Sequence, residues 1–288
     1  MRNCLTIDLE SIAHRYLTEK KHLSEASRRR IDAEPNRRYL DGGHTLLSTR
    51  RILQTLAEHE QRITFFVVGE IHDWYPDLIE EIREMGHEVA YHTHTHTPIK
   101  SATSLKEEIR KSKRLLEKFK PRGFRAPRAI MTRECLRELA GHGFAYDSSS
   151  YGPFNALTKV DGIAEIPIST YRLRQGGSLT LPRQLSTRLL GDLEIPFGSG
   201  YFISLFSLVS AGVVSHFIKK SNEQGNPSIL CLHPWQLHRN AAGSVQRPIP
   251  IRLETLPYDL CCLRSFRHLL LNHRFCPMFE LIEEMKIL

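Results

Sequence analysis

The chain has 288 residues, of which 41% are hydrophobic and 25% are charged, a mixture typical of a soluble globular enzyme. Its six cysteines form no CxxC pair, which argues against a disulfide framework and favours buried free thiols in a reducing compartment. The net charge of +8 draws on arginines between residues 28 and 38. We expect a solvated basic loop there, with attraction to an anionic lipid or glycan as the alternative. A nucleic-acid partner is not expected, because no recognition motif accompanies the charge.

Short β-rich runs alternate with amphipathic helical patterns along the chain. The predicted strands are residues 5–9, 63–69, 87–92, 123–127, 143–147, 163–168 and 228–234. The predicted helices lie around residues 46–56, 76–86, 109–116 and 136–139, and Ser104 with Glu107 forms a predicted capping box before the third. Repeated strand–helix units predict one α/β domain over residues 1–288, with a mainly parallel sheet covered by helices. Periodicity does not say whether this sheet closes into a barrel, and residues 239–260 are expected to form a loop.

One apolar stretch, residues 201–218, carries no formal charge and approaches the length of a membrane span. Serines and His216 dilute it, so we expect a buried or amphipathic helix, with contact to a membrane surface left open. The first ten residues include charges and no long apolar run, so no cleaved signal peptide is expected. These features predict a cytoplasmic protein, with peripheral membrane contact as an alternative. They leave the oligomeric state open.

The run YHTHTH places His92, His94 and His96 directly after a predicted strand. Imidazole is a common zinc ligand, and these side chains share one side of an extended chain, while His92 and His96 also share one face of a helical turn. Asp8 and Glu10 end the first predicted strand and lie on one side of it. Because reactive groups collect at the carboxyl ends of parallel strands, we expect a site where these segments meet.

A set of motifs occurs in one order along the chain: LTIDLE, ITFFVVG, GHEVAYHTHTH, GFRAP, GFAYDSS, PFGSGYF and LHPW. This set resembles the polysaccharide deacetylase (NodB-homology) family, carbohydrate esterase family 4, and is similar to the branch associated with exopolysaccharide gene clusters. The motifs span residues 5–236, and FRHLLLN (266–272) resembles a C-terminal segment of that branch, within an expected helical extension over 260–288. The resemblance implies a distorted (β/α) barrel and a hydrolase that removes N-acyl groups, principally N-acetyl, from amino sugars of a polysaccharide or its precursor.

The resemblance also implies a metal site. Glu10, His92 and His96 match the metal-binding residues of the family, and His94 falls between the ligand positions and is expected not to bind. Zinc is the expected ion, while Co²⁺, Ni²⁺ and Fe²⁺ stay open because imidazole suits several metals.

The implied catalytic residues are Asp8 as general base, Arg125 as the residue that orients it, and His233 as general acid. A second set is expected to border the substrate, and it comprises Pro127, Gly198, Tyr201 and Trp235. Asp147 is interpreted either as a turn cap or as a site residue.

Three positions depart from the pattern of the family: Ser11 follows the first motif, Arg128 follows RAP, and Gln236 follows LHPW where glutamate is common. Arg128 is expected either to narrow the substrate groove or to select an anionic substrate, so this departure leaves the substrate open. Three other functions remain open: a lipid-linked sugar deformylase or deacetylase, a non-catalytic carbohydrate-binding relative, and a cyclic-amide hydrolase of the allantoinase type.

Overall fold

The protein is described here by a computed structural model. It describes residues 1–14, 38–172, 194–207, 209–237 and 262–287. Two predictions lie outside these residues, the basic loop at 28–37 and the loop at 239–260.

The strands form one large, mainly parallel sheet and two small ones. The bounds are β1 Arg2–Leu9, β2 Thr64–Val67, β3 Glu88–Tyr91, β4 Gly123–Phe124, β5 Tyr146–Asp147, β6 Tyr151–Gly152, β7 Thr158–Val160, β8 Ile163–Glu165, β9 Ile168–Ser169, β10 Tyr171–Arg172, β11 Glu194–Ile195, β12 Ile229–Leu232 and β13 Arg274–Phe275. The large sheet has the order β12-β1-β2-β3-β4-β5-β8-β7, and β13 also pairs with β1. All these pairs are parallel except β7 with β8. Each predicted strand therefore contains an observed strand, although only the first two residues of 123–127 and the last two of 143–147 are extended, and the run 163–168 divides into β8 and β9.

The sheet curves into a distorted barrel. The amide of Gly198 donates to the Ser169 carbonyl at 2.9 Å, and the amide of Cys231 donates to the Gly198 carbonyl at 2.8 Å. These two bonds connect β9 to β12, which itself pairs with β1. A Cβ on Gly198 would lie 2.4 Å from the Ile229 carbonyl oxygen, so this backbone approach requires glycine.

Helices cover the outer face of the sheet. Their bounds are α1 Arg38–Asp41, α2 His44–Glu58, α3 Gly69–Trp74, α4 Pro76–Glu84, α5 Ala102–Lys111, α6 Lys113–Phe119, α7 Arg133–Gly141, α8 Gly200–Ser207, α9 Gly212–Glu223, α10 Pro234–Leu237, α11 262–272 and α12 Met278–Glu284. The four predicted helices are confirmed, and the third is divided at Ser112 into α5 and α6. The expected helical extension over 260–288 contains α11 and α12 within its described residues, with the two-residue strand β13 between them.

The capping box lies three residues earlier in the chain than the predicted pair of Ser104 and Glu107. α5 begins at Ala102, and Ser101 is its N-cap. The Ser104 amide donates to Ser101 Oγ at 3.2 Å, and the Ser101 amide donates to Ser104 Oγ at 3.0 Å. A serine hydroxyl therefore completes the reciprocal box that the prediction assigned to a glutamate.

The apolar stretch at 201–218 is two helices, α8 and α9, instead of one. Within the described residues, no helix combines the length and the apolar character needed to cross a bilayer.

Strand alternation directs the polar residues of β1 inwards. Leu5, Ile7 and Leu9 belong to the cluster that packs against the helices, while Cys4 belongs to the inner cluster. Because successive side chains point to opposite faces of a strand, Asp8 shares the inner face with Cys4. The inner face thus changes from apolar to acidic towards the carboxyl end of β1.

Candidate active site

A cavity of about 320 Å³ opens at the carboxyl ends of the strands. The six predicted metal-binding and catalytic residues all line it: Asp8, Glu10, His92, His96, Arg125 and His233. The structure therefore brings together residues that lie up to 225 positions apart in the sequence.

Glu10, His92 and His96 each offer one ligand atom, and these atoms lie within 4.8 Å of one another. His92 Nδ1 lies 2.7 Å from the Arg125 carbonyl oxygen, so Nδ1 carries the hydrogen and Nε2 has a free lone pair. Glu10 Oε2 is buried 2.5 Å from His96 Nε2, yet it accepts no well-aligned hydrogen bond among the described residues. Two imidazoles lie close to a buried carboxylate whose Oε2 has no hydrogen-bond partner in the described part of the chain. This set of donors fits a divalent metal ion.

The electrostatics of this group favour a bound cation. Burial, reinforced by His96, lowers the pKa of His92 to about 4, so its imidazole is neutral at physiological pH. Burial alone would raise the pKa of Glu10, but His96 and His233 outweigh it and hold that pKa well below its usual range. The set therefore combines a neutral imidazole with an ionised carboxylate, the protonation states that metal binding requires.

The segment between His92 and His96 is a tight loop. Thr93 and His96 have φ angles of 62° and 58°, in the left-handed region. Glu108 Oε2 holds this loop, because it accepts the amide hydrogens of His94 at 2.9 Å and Thr95 at 2.7 Å. Both sequence interpretations of this segment, a shared helical face and an extended chain, are wrong because the left-handed residues turn the backbone.

The loop turns His94 away from the metal-binding group. Its Nδ1 lies 3.1 Å from Ser112 Oγ, and its Nε2 lies 3.7 Å from Asp73 Oδ2. The position of His94 agrees with its expected exclusion from the ligand set.

Arg125 is buried and held against Asp8. Its Nη1 donates to Asp8 Oδ1 at 2.6 Å and to Thr6 Oγ1 at 2.7 Å. Its Nε and Nη2 donate to the carbonyl and the hydroxyl of Ser148, both at 2.9 Å, and the guanidinium lies 4.1 Å above the Phe66 ring. Burial raises the pKa of Asp8, but the charges of Arg125, His92 and His233 outweigh it and leave that pKa below its usual value. Asp8 is therefore ionised and fixed in orientation.

His233 faces both carboxylates. Its Nε2 lies 3.5 Å from Glu10 Oε1 and 3.9 Å from Asp8 Oδ2. Its Nδ1 lies 3.1 Å from Gln236 Oε1. Trp235, which is 3% exposed, donates from Nε1 to Glu10 Oε1 at 3.1 Å. Trp235 therefore orients Glu10 and also lines the cavity.

The predicted substrate-binding residues divide into two groups. Tyr201 and Trp235 line the cavity, and Tyr201 is 52% exposed at its rim. Pro127 and Gly198 do not line the cavity, and Gly198 instead packs against the backbone of β12. Arg128, whose φ of 60° lies in the left-handed region, also lines the cavity.

Three residues of the site were not predicted from the sequence. Cys231 and Tyr151 line the cavity, and Glu108 holds the loop between His92 and His96. Strand alternation from His233 would have indicated Cys231, which lies two residues earlier. Asp147 serves as the turn cap that one interpretation expected, since it accepts the amide and the hydroxyl of Ser149 at 2.9 and 2.6 Å.

Comparison with known proteins identifies the family. A family model for polysaccharide deacetylases matches residues 41–146, which include both histidines of the metal-binding group and Arg125. A chitooligosaccharide deacetylase of Sinorhizobium fredii is 30% identical over 193 residues, covering 65% of this chain and 89% of the relative. A peptidoglycan-N-acetylglucosamine deacetylase of Bacillus cereus is 28% identical over 112 residues, covering 39% of this chain and 34% of the relative.

A solved structure supports the fold. A Mycobacterium smegmatis protein assigned to the polysaccharide deacetylases has a TM-score of 0.62 at 19% identity, covering 99% of this chain and 91% of that one. The chain therefore belongs to the polysaccharide deacetylase (NodB-homology) family.

Proposed function

We propose that this protein is a zinc-dependent hydrolase that removes N-acetyl groups from amino sugars of a polysaccharide or its precursor. Family membership supports hydrolysis of a sugar amide, and the site supports the metal and the residue roles. One observation carries the proposal: Asp8 and His233 both face the group formed by Glu10, His92 and His96 within one cavity. A base, an acid and a metal-binding set thus surround the same small volume.

Glu10, His92 and His96 would hold the ion. Two imidazoles and one carboxylate leave a position open, as in catalytic zinc sites. A zinc ion bound there supplies Lewis acidity, which polarises an acyl carbonyl and lowers the pKa of water towards about 7.

Asp8 would accept a proton from the attacking water. The ion pair with Arg125 keeps the carboxylate ionised and engages Oδ1, while Oδ2 faces the cavity 3.8 Å from His92 Nε2. A carboxylate held in this way does not have to reorient before it takes the proton.

His233 would protonate the departing sugar nitrogen. An amine leaves poorly as an anion, so the reaction needs an acid beside the scissile bond. The ring is held through Nδ1 by Gln236, and Nε2 faces the cavity.

The substrate class is inferred from the relatives. Chitooligosaccharides and peptidoglycan are the substrates in the names of the two relatives, and both contain N-acetylglucosamine. The partly exposed Tyr201 at the rim offers a ring face on which a sugar can stack.

A substrate panel tests the proposal. Purified protein reconstituted with zinc is incubated with N-acetylated oligosaccharides and lipid-linked N-acetylated or N-formylated sugars, and acetate and formate are measured. Acetate from the oligosaccharides, lost in Asp8→Asn, supports the proposal. Formate release alone would indicate a deformylase, and binding without release of either acid would indicate a non-catalytic carbohydrate-binding protein.

A further inference from the structure

A thiol lies beside the proposed base. Cys231 Sγ donates to Asp8 Oδ2 at 3.3 Å, and Cys231 lines the cavity. Cys231 and His233 lie two residues apart at the end of β12, so both point to the inner face. The two residues and Asp8 each offer one ligand atom, and these atoms lie within 4.8 Å of one another.

Each oxygen of Asp8 has a different environment. Oδ1 is engaged by Arg125 at 2.6 Å. Oδ2 faces Cys231 Sγ at 3.3 Å, His92 Nε2 at 3.8 Å and His233 Nε2 at 3.9 Å. This oxygen is therefore shared between the thiol and imidazole of β12 and the His92 imidazole of the first metal-binding group.

The hydrogen bonds of Gln236 determine the tautomer of neutral His233. The backbone amide of His233 donates to Gln236 Oε1 at 2.9 Å, so this atom must be the amide oxygen. His233 Nδ1 lies 3.1 Å from the same oxygen and must therefore donate to it. The remaining nitrogen, Nε2, then has a free lone pair towards Asp8 and Glu10, which is the form that binds metals.

Carboxylate, thiolate and imidazole are all ligands that zinc prefers, and a thiolate also selects zinc over hard cations such as magnesium. We propose that Asp8, Cys231 and His233 bind a second divalent cation, and that this second ion inhibits the enzyme. The inference rests on the proposed function, because the two residues that it occupies are the proposed base and acid. On binding, the Cys231 S–H bond breaks, a sulfur–metal bond forms, and the proton passes to the solvent.

Inhibition follows from occupancy of these side chains. An Asp8 oxygen bound to a cation cannot accept a proton from water, and a His233 Nε2 bound to a cation cannot carry the proton for the leaving nitrogen. We therefore expect activity to rise with the first equivalent of metal and to fall with excess.

Cobalt titration tests the proposal directly, because a cobalt–thiolate bond adds a near-ultraviolet charge-transfer band. Co²⁺ is added to the metal-free protein while absorbance, bound cobalt and deacetylation are followed. The first equivalent should bind without this band, and the second should produce it and reduce activity. Cys231→Ser and Cys231→Ala should keep the first equivalent and lose the band. They should bind the second equivalent at least about 10–100-fold more weakly, because loss of a direct ligand costs no less than loss of an outer-shell partner. Cys135→Ser, which removes a buried thiol that does not line the cavity, is the matched control and should behave as the wild type.

The outcomes separate the two proposals. A single equivalent without the band, or a second equivalent unchanged in both Cys231 variants, would overturn the second site and leave the proposed function intact. Failure of the wild type to bind even one equivalent would overturn the metal site of the proposed function. Binding of the first cobalt equivalent also shows that the Cys231 variants are folded. If they do not fold, the presence or absence of the charge-transfer band at the second equivalent in the wild type tests the second site.

Discussion

Arg125 Nη1 lies 2.6 Å from Asp8 Oδ1 in the interior of the barrel, and the guanidinium is only 1% exposed. Three further hydrogen bonds, to Thr6 and Ser148, fix its position. The pair is a buried, charge-assisted contact that sets both the charge and the direction of the proposed base.

Replacement of Arg125 should therefore move the acid limb of the pH profile. Arg125 favours the ionised form of Asp8, so Arg125→Met should raise the pKa of Asp8. As the pH is lowered, the variant should therefore lose activity at a higher pH than the wild type does. The measurement is kcat/KM against pH for wild type, Arg125→Met and Arg125→Lys, and the lysine variant should restore part of the shift. The methionine variant should also lose about 3–5 kcal/mol of unfolding free energy, since it leaves a buried carboxylate unpaired. An unmoved acid limb would show that Arg125 does not act on the base.

Removal of either proposed histidine ligand should remove the metal. His92→Ala and His96→Ala should bind much less than one equivalent of zinc, while their circular dichroism remains that of the wild type. His94→Ala is the matched control from the same loop, and it should keep full stoichiometry because His94 contacts Ser112 and Asp73 instead. Loss of zinc from His94→Ala alone would require a different ligand set.

Glu108 should act as a positioning residue for the tight loop between His92 and His96. Its Oε2 accepts hydrogen bonds from the amides of His94 and Thr95 and from the Thr95 hydroxyl, so Glu108→Gln weakens the support of a left-handed turn. Zinc affinity should fall by about 10–100-fold, the usual effect of an outer-shell change. Glu107→Gln, on the exposed side of the same helix, should leave zinc affinity unchanged. Equal effects of the two variants would count against this role.

His233→Ala should impair amide hydrolysis far more than hydrolysis of an activated ester. An amine leaves only when it is protonated, whereas an activated phenolate leaves without help, so we expect a loss of about 10²–10⁴-fold on the amide. The measurement is kcat/KM on an N-acetyl sugar and on an aryl acetate for both proteins. Similar losses on the two substrates would assign His233 to structure, and the acid would have to be another residue.

Much of the fold was predictable, because buried strands and amphipathic helices have distinct periods. It was equally predictable that Asp8 and His233 would meet at the C-terminal ends of the strands, because both residues lie at the end of a predicted strand. The contact between Asp8 and Arg125, 117 residues apart, was available only from family resemblance, since no local pattern specifies which long-range charges pair. The turn at Thr93 and His96 was not predictable, because a left-handed φ is rare at a β-branched residue such as Thr93 and only moderately enriched at histidine.

The central claim is that Asp8 is a base and not a ligand, whereas Glu10 is a ligand and not the base. The most direct test measures bound zinc and acetate release together for Asp8→Asn and Glu10→Gln on N-acetylglucosamine oligomers. We predict that Asp8→Asn keeps one zinc per chain and loses about 10²–10⁴-fold of turnover. Glu10→Gln should lose zinc and activity together. Retention of zinc in Glu10→Gln with its loss from Asp8→Asn would contradict the account.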